Sequence, residues 1–421
     1  MKPKGNLTYL FSIVAIAVLG GFLFGYDTAV ISGAERGLEA FFLSATDFQY
    51  KDFQHGLTCS SALWGCIIGS LLSGWMAGKW GRKRSLIFAG ACFFLSALGS
   101  YRPEFLFSGY GKPTLPLLIV FNLYRVLGGI GVGMASAICP MYIAEMSPSN
   151  MRGRLVSWNQ FAIIFGQLVV YAVNMFILGD HVAPIMDQVS LGISKVLNPE
   201  ESVWMTEVGW RYMFVSEAIP AGLFTILVCF IPETPRYLTM SGQEDKALNV
   251  LTRINGESQA QVILADIKST TVQKREKLFA YGKLVVFVGI MLSVFQQIIG
   301  INAVLYYGPR IFGEIGATKP FAYTLLMGVI NILFTLLAIF TVEKWGRKPL
   351  LISGSIGMAI GAFLVAFTFG NDAAKLCTLI GIMLYSASFM MSWGPICWVL
   401  ISEIFPNTIR SQAVAIAVAF Q

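Results

Sequence analysis

Apolar residues gather along this chain in windows of about 20, the length a helix needs to cross a bilayer, and short polar segments separate them. The pattern predicts spans at roughly 7–33, 57–78, 85–101, 115–140, 155–179, 210–231, 283–307, 321–343, 349–369 and 375–402, with an eleventh opening near Ser411. The first window is long and has no small-residue cleavage site after a short apolar core, so it is expected to stay on as a span. The sequence stops at Gln421, inside the eleventh window, and the expectation is an all-α membrane protein truncated in that span.

Polar residues inside the windows fall into stripes. In the fifth, Gln160, Gln167 and Asn174 recur every seven residues and share one helix face. A lone amide would most simply bond a neighbouring helix, and Asn174 suits that role best. Amides in register suit a wall for hydroxyl groups, because each both donates and accepts. In the seventh window, Gln296, Gln297, Asn302 and Tyr306 cannot all face one way on an unbroken helix. Gly300 offers a place to unwind, and Gly308-Pro309 a kink or stop. The tenth holds Trp393 and Trp398 on either side of Gly394-Pro395. A membrane indole commonly anchors at the interface, but beside a break it can also cover the apolar face of a ring.

Asp27 sits near the end of the first window, where a carboxylate costs about 2.5–3.5 kcal/mol even on lenient insertion scales. Arg125 in the fourth window and Glu217 in the sixth are its candidate partners. One reading is a static ion pair joining spans; the other is a pair that opens when Asp27 takes up a proton.

Composition agrees with a membrane protein: 56% of the 421 residues are hydrophobic and 13% charged. The net charge of +7 could suggest nucleic acid, but the basic residues alternate between loops, 20 on one side and 9 on the other, with Arg125 inside a span. That asymmetry puts the N-terminus and the Lys-Trp-Gly-Arg-Lys loops in the cytoplasm. Seven cysteines without a CxxC pair give neither a disulfide framework nor a zinc site. The glycine run Gly128, Gly129, Gly131, Gly133 lies within a span and is expected to pack helices. The histidines, His55 and His181, sit at span edges or in loops, and no catalytic constellation accompanies them. An enzyme, a metal site and a cofactor are therefore not expected.

Two stretches recur. "KWGRKRSL" at 79–86 returns as "KWGRKPLL" at 344–351, and Glu145-x-x-Pro148-x-x-x-Arg152 returns as Glu403-x-x-Pro406-x-x-x-Arg410, with separations of 265 and 258 residues. Parallel repeats of this kind predict two six-helix bundles related by a pseudo-two-fold. The expected units are an N-terminal bundle over 1–232, a cytoplasmic helical linker over 233–282 and an incomplete C-terminal bundle over 283–421. Within the linker, "QEDKALNVLTRI" has the period of an amphipathic helix.

The set "GYDTAVISG", "WGRKR", "YRVLGGIGVG", "PMYIAEMSPSNMRGRLVSWNQF", "PETPRYL", "QQIIGINAVLYYGP", "EKWGRKP" and "GPICWVLISEIFP" resembles the sugar porter family of the major facilitator superfamily. The likeness runs from about residue 7 to the last residue, with a loop near 180–207 that is longer than the family leads one to expect. It implies the major facilitator fold and proton-coupled import of a monosaccharide, D-xylose first among the candidates, by alternating access. It also implies Gln296, Gln297, Asn302, Asn331 and Gln421 as sugar ligands, Trp398 as a stacking residue and Phe24 beside it. These join Gln160, Gln167 and Tyr306 in the expected substrate site. Passive glucose facilitators with like motifs lack an acid where Asp27 stands, which favours a coupling set of Asp27, Arg125 and Glu217. Arg82, Glu145, Arg152, Arg347, Glu403 and Arg410 are expected to latch the bundles across the cytoplasmic side when the inner gate is closed. A monomer in a bacterial inner membrane is expected, and the alternatives are a passive facilitator or a sugar receptor that does not transport.

Overall fold

The structure is a computed structural model that describes residues 5–106, 112–182, 205–271, 279, 281–316, 319–371 and 374–405, and beyond them 409, 413, 416, 417 and 420. Arg410, Gln421 and most of the loop near 180–207 lie outside the described residues. The first half holds α1 (Leu7–Leu43), α2 (Asp52–Lys79), α3 (Arg82–Tyr101), α4 (Leu115–Met146), α5 (Arg152–Val182), α6 (Trp210–Ser216) and α7 (Ala218–Val228). Three short helices follow: α8 (Pro235–Met240), α9 (Glu244–Asn255) and α10 (Glu257–Thr271). The second half holds α11 (Lys283–Ile298), α12 (Ile301–Tyr306), α13 (Gly308–Glu314), α14 (Pro320–Trp345), α15 (Arg347–Thr368), α16 (Lys375–Met391) and α17 (Trp393–Ile404).

Ten helical stretches among the described residues are long and apolar enough to cross a membrane, close to the ten complete windows of the sequence. The outer surface is apolar: Leu71, Trp75, Ile219, Ile226, Phe363 and Phe367 are all exposed, as lipid-facing positions must be. The main departure is α1, which continues ten residues past the predicted end at 33 to Leu43. Hydropathy alone misses these nearly three turns because they carry Glu35 and Glu39, whose charges are met by the Arg310 side chain, and Arg36, which donates to the Arg310 backbone carbonyl.

Small residues let the helices approach. A Cβ on Gly129 would strike the Ala62 carbonyl, and one on Gly133 the Cys66 carbonyl, so these two glycines bring α4 against α2, while Gly128 and Gly131 face Ser96 and Ala89 of α3. Gly25 meets the Ile163 carbonyl in the same manner, joining α1 to α5. The halves touch where α1 faces α12 and α13 and where α5 faces α14. In the linker, α9 buries Ala247, Val250, Leu251 and Ile254 on one face, the amphipathic helix its sequence predicts.

Candidate functional site

Asp27 is fully buried on α1, and Arg125 reaches it from α4. The guanidinium donates from Nη1 to Asp27 Oδ1 at 2.5 Å and from Nη2 to the Asp27 backbone carbonyl at 3.3 Å. Its other face lies 5.0 Å from the centre of the Phe214 ring. Glu217, at the junction of α6 and α7, is fully buried within the fields of Asp27 and Arg125. Neither of its carboxylate oxygens, nor Asp27 Oδ2, finds a hydrogen-bond partner among the described residues. The structure therefore gathers two acids and one base in a buried place, with one negative charge in excess when both acids are ionised.

The seventh window breaks at Gly300, which adopts a left-handed conformation at φ 83° between α11 and α12. The break turns its amides in different directions. Gln297, before it, accepts from Asn302 Nδ2, after it, at 2.7 Å. Gln296 donates instead to the backbone carbonyls of Trp393 at 2.9 Å and Gly394 at 3.3 Å. Tyr306, one turn beyond Asn302 on α12, is buried and lies within the fields of Asp27 and Arg125. The second half thus carries one helix that joins an amide pair to the buried charges of the first.

On α5, Gln160 is half-buried and Gln167 buried, with Gln167 Oε1 unpartnered among the described residues. Asn174 donates to the Val30 carbonyl at 3.3 Å and so bonds α5 to α1. Asn331 on α14 accepts at Oδ1 from Ser386 Oγ at 2.7 Å, while its buried Nδ2 has no partner among the described residues. Phe24 and Trp398 are half-buried on α1 and α17. The tenth-window break falls at Ser392 rather than at Gly394-Pro395: α17 restarts at Trp393, so Pro395 occupies the first turn, where its missing N–H costs nothing.

Among the described residues, the repeated motifs pair within each half. Arg82 donates to Glu145 at 2.8 Å, and Arg347 meets Glu403 through two bonds of 3.1 and 2.6 Å. Arg152 stands exposed at the start of α5. Glu233, from "PETPRYL", accepts the backbone N–H groups of Arg82 at 3.1 Å and Lys83 at 3.0 Å, capping the otherwise uncapped N-terminus of α3. Burial raises the Glu233 pKa, and these hydrogen bonds only partly oppose it. A cleft of about 590 Å³ between α3 and the linker, lined by Lys83, Glu233 and Lys246 among others, contains none of the expected sugar ligands.

Among the described residues, the ion pairs that cross between halves lie at the opposite ends of the helices. Arg310 of α13 donates to Glu35 at 2.7 Å and Glu39 at 3.1 Å on α1, while His55 of α2 also meets Glu35, at 2.9 Å. Arg36 donates to the Arg310 carbonyl at 3.3 Å. Burial alone would lower the Arg310 pKa, but the hydrogen bond and charge of Glu35, with Glu39 behind it, raise it. Sequence reasoning missed this cluster. Its signals were the i, i+4 spacing of Glu35 and Glu39 and a lone cation just after Gly308-Pro309.

The model of the sugar (and other) transporter family matches residues 13–421. The D-xylose-proton symporter of Escherichia coli strain K12 is 45% identical over 434 residues, which cover all of this chain and 84% of that protein. The glucose facilitated diffusion protein of Zymomonas mobilis is 36% identical, again over the whole chain and 86% of its own length. Among solved structures, a partially occluded inward-open conformation of the E. coli xylose transporter superposes with a TM-score of 0.84 at 44% identity, covering 98% of this chain and 88% of that one.

Proposed function

Because the chain belongs to the sugar (and other) transporter family, we propose that it is a multi-pass membrane symporter of the major facilitator fold that imports a monosaccharide, D-xylose first among the candidates, together with a proton. The observation that carries proton coupling is the buried trio of Asp27, Arg125 and Glu217. With both acids ionised it bears a net negative charge in a buried place, and one proton makes it neutral. Protonation of Asp27 removes the attraction that holds Arg125, and Glu217 stands ready to receive the released guanidinium.

The sugar occupies the space between the halves. Gln160, Gln167, Gln296, Gln297, Asn302 and Asn331 supply hydroxyl partners, with Gln421 expected beside them, and Phe24, Tyr306 and Trp398 supply ring and hydroxyl contacts. Support comes from the unpartnered amide atoms of Gln167 and Asn331, which are buried at a cost that a hydroxyl-bearing ligand would relieve. Tyr306 links the two events, since it follows Asn302 on α12 and feels the Asp27–Arg125 pair. We further propose a bacterial inner-membrane location, a cytoplasmic N-terminus, a monomer among lipids, and the division into 1–232, 233–282 and 283–421. In that orientation the Arg310 cluster closes the outer side while the cytoplasmic charges stay within their own halves, an inward-facing arrangement.

The test is uptake of radiolabelled sugars into vesicles by the reconstituted protein, with and without an imposed proton gradient, across a panel of pentoses and hexoses. Accumulation of D-xylose that depends on the gradient is expected. Equal uptake with and without it would instead make the protein a facilitator, as one of its relatives is named.

A further inference from the structure

We propose that Tyr385 is a positioning residue for the sugar site, tying the break in the seventh span to the break in the tenth; this rests on the reading that Gln297 and Asn302 hold sugar. In a continuous helix the Ile299 carbonyl would accept from Ala303 N–H, four residues on. Here Ala303 N–H turns back to the Gly300 carbonyl at 3.1 Å, and the Ile299 carbonyl accepts the Tyr385 hydroxyl from α16. The bond is returned from the other side, where Gln296 on α11 donates to the carbonyls of Trp393 and Gly394 just after the break at Ser392. Each break is thus held by a side chain of the opposite span. Trp393 is itself fixed by its Nε1, which donates to Ser355 Oγ of α15 at 2.8 Å.

The consequence for binding follows from where the amides sit. Gln297 lies two residues before Ile299 and Asn302 three residues after it, so the angle at this break sets the distance between them. Gly300 permits that angle at φ 83°, and no side chain crowds it; the Tyr385 hydroxyl holds it. The neighbouring residue on α16, Ser386, orients the Asn331 amide. One turn of α16 therefore positions three proposed sugar ligands.

The experiment uses the reconstituted full chain and Tyr385→Phe, which removes one hydroxyl and keeps the ring. Without sugar, hydrogen exchange across 299–307 should quicken by about 5- to 10-fold while exchange elsewhere stays constant, as expected for loss of one buried bond at a break. Affinity for D-xylose by calorimetry should fall by a similar factor. Gly300→Ala strains the same break from the backbone, so the double variant should lose less than the product of the single losses. Unchanged exchange across 299–307 would overturn the brace whatever sugar is carried. Quickened exchange with unaltered D-xylose affinity, or losses that simply multiply, would overturn its positioning role. A wild-type protein that binds no sugar would refute the proposed function, while the exchange measurement would still decide the brace.

Discussion

Arg310→Ala should open the outer side of the protein. The side chain is 37% exposed, so its contacts with Glu39 and Glu314 are screened and together stabilise by only about 0–1 kcal/mol. Its contact with Glu35 differs, because that carboxylate is 2% exposed. Leaving a buried charge wholly without a partner costs about 3–5 kcal/mol. His55 remains at 2.9 Å from Glu35, however, so the carboxylate is not left alone and the loss stays below that range, at about 1–2 kcal/mol for the whole change. This bias exists only while the halves are together on that side, and its removal shifts the ratio of outward-open to inward-open protein by about 5- to 30-fold. Spin labels on Leu43→Cys and Lys319→Cys, with exposed Cys229 and Cys377 replaced by serine, would report the separation of α1 from the second half. The wild type should show a single short distance, and Arg310→Ala should gain a longer component that Arg310→Lys largely suppresses. Identical distance distributions in wild type and Arg310→Ala would mean that the cluster is a surface ornament and not a gate.

Other substitutions separate the remaining roles. Gln160→Ala and Gln297→Ala should each weaken sugar binding by about 1–3 kcal/mol in calorimetry, and wild-type affinity in a folded variant would remove that residue from the site. Glu145→Ala should lower the melting temperature clearly, since Arg82 would be left with a side chain only 9% exposed, whereas Glu403→Ala should barely move it because both members of that pair are about a third or more exposed. Equal effects would show that burial does not distinguish the two copies of the motif. Gly133→Leu should destabilise by about 1–3 kcal/mol or prevent folding, because the side chain would drive α4 off the Cys66 carbonyl; normal yield and melting would contradict close packing there.

Much of this was legible in the residues because the bilayer restricts the choices. Windows of apolar length located the spans, the seven-residue spacing found the α5 amides, and Gly300 marked the break that the backbone makes. Asp27 and Arg125 could be matched because few buried charges were available to pair. What sequence missed depended on partners distant in the chain. Helix α1 outran its apolar window because Arg310, some 270 residues away, meets its acids. Gln296 sits on the same span as Gln297 yet turns to a different one, and only the position of α17 shows why. Each copy of the repeated motif builds the same internal pair among the described residues, Arg82 with Glu145 and Arg347 with Glu403.

Asp27→Asn, examined in one preparation for both sugar counterflow and accumulation driven by a proton gradient, is the decisive measurement. The substitution keeps the shape of the side chain, removes the charge held at 2.5 Å by Arg125, and fixes the state that protonation would produce. Counterflow should persist, because a loaded carrier can still reorient, while accumulation against a sugar gradient should vanish. A variant that still concentrates sugar would exclude Asp27 from proton coupling, and one that loses binding and fold together would show the Asp27–Arg125 pair to be a structural tie alone.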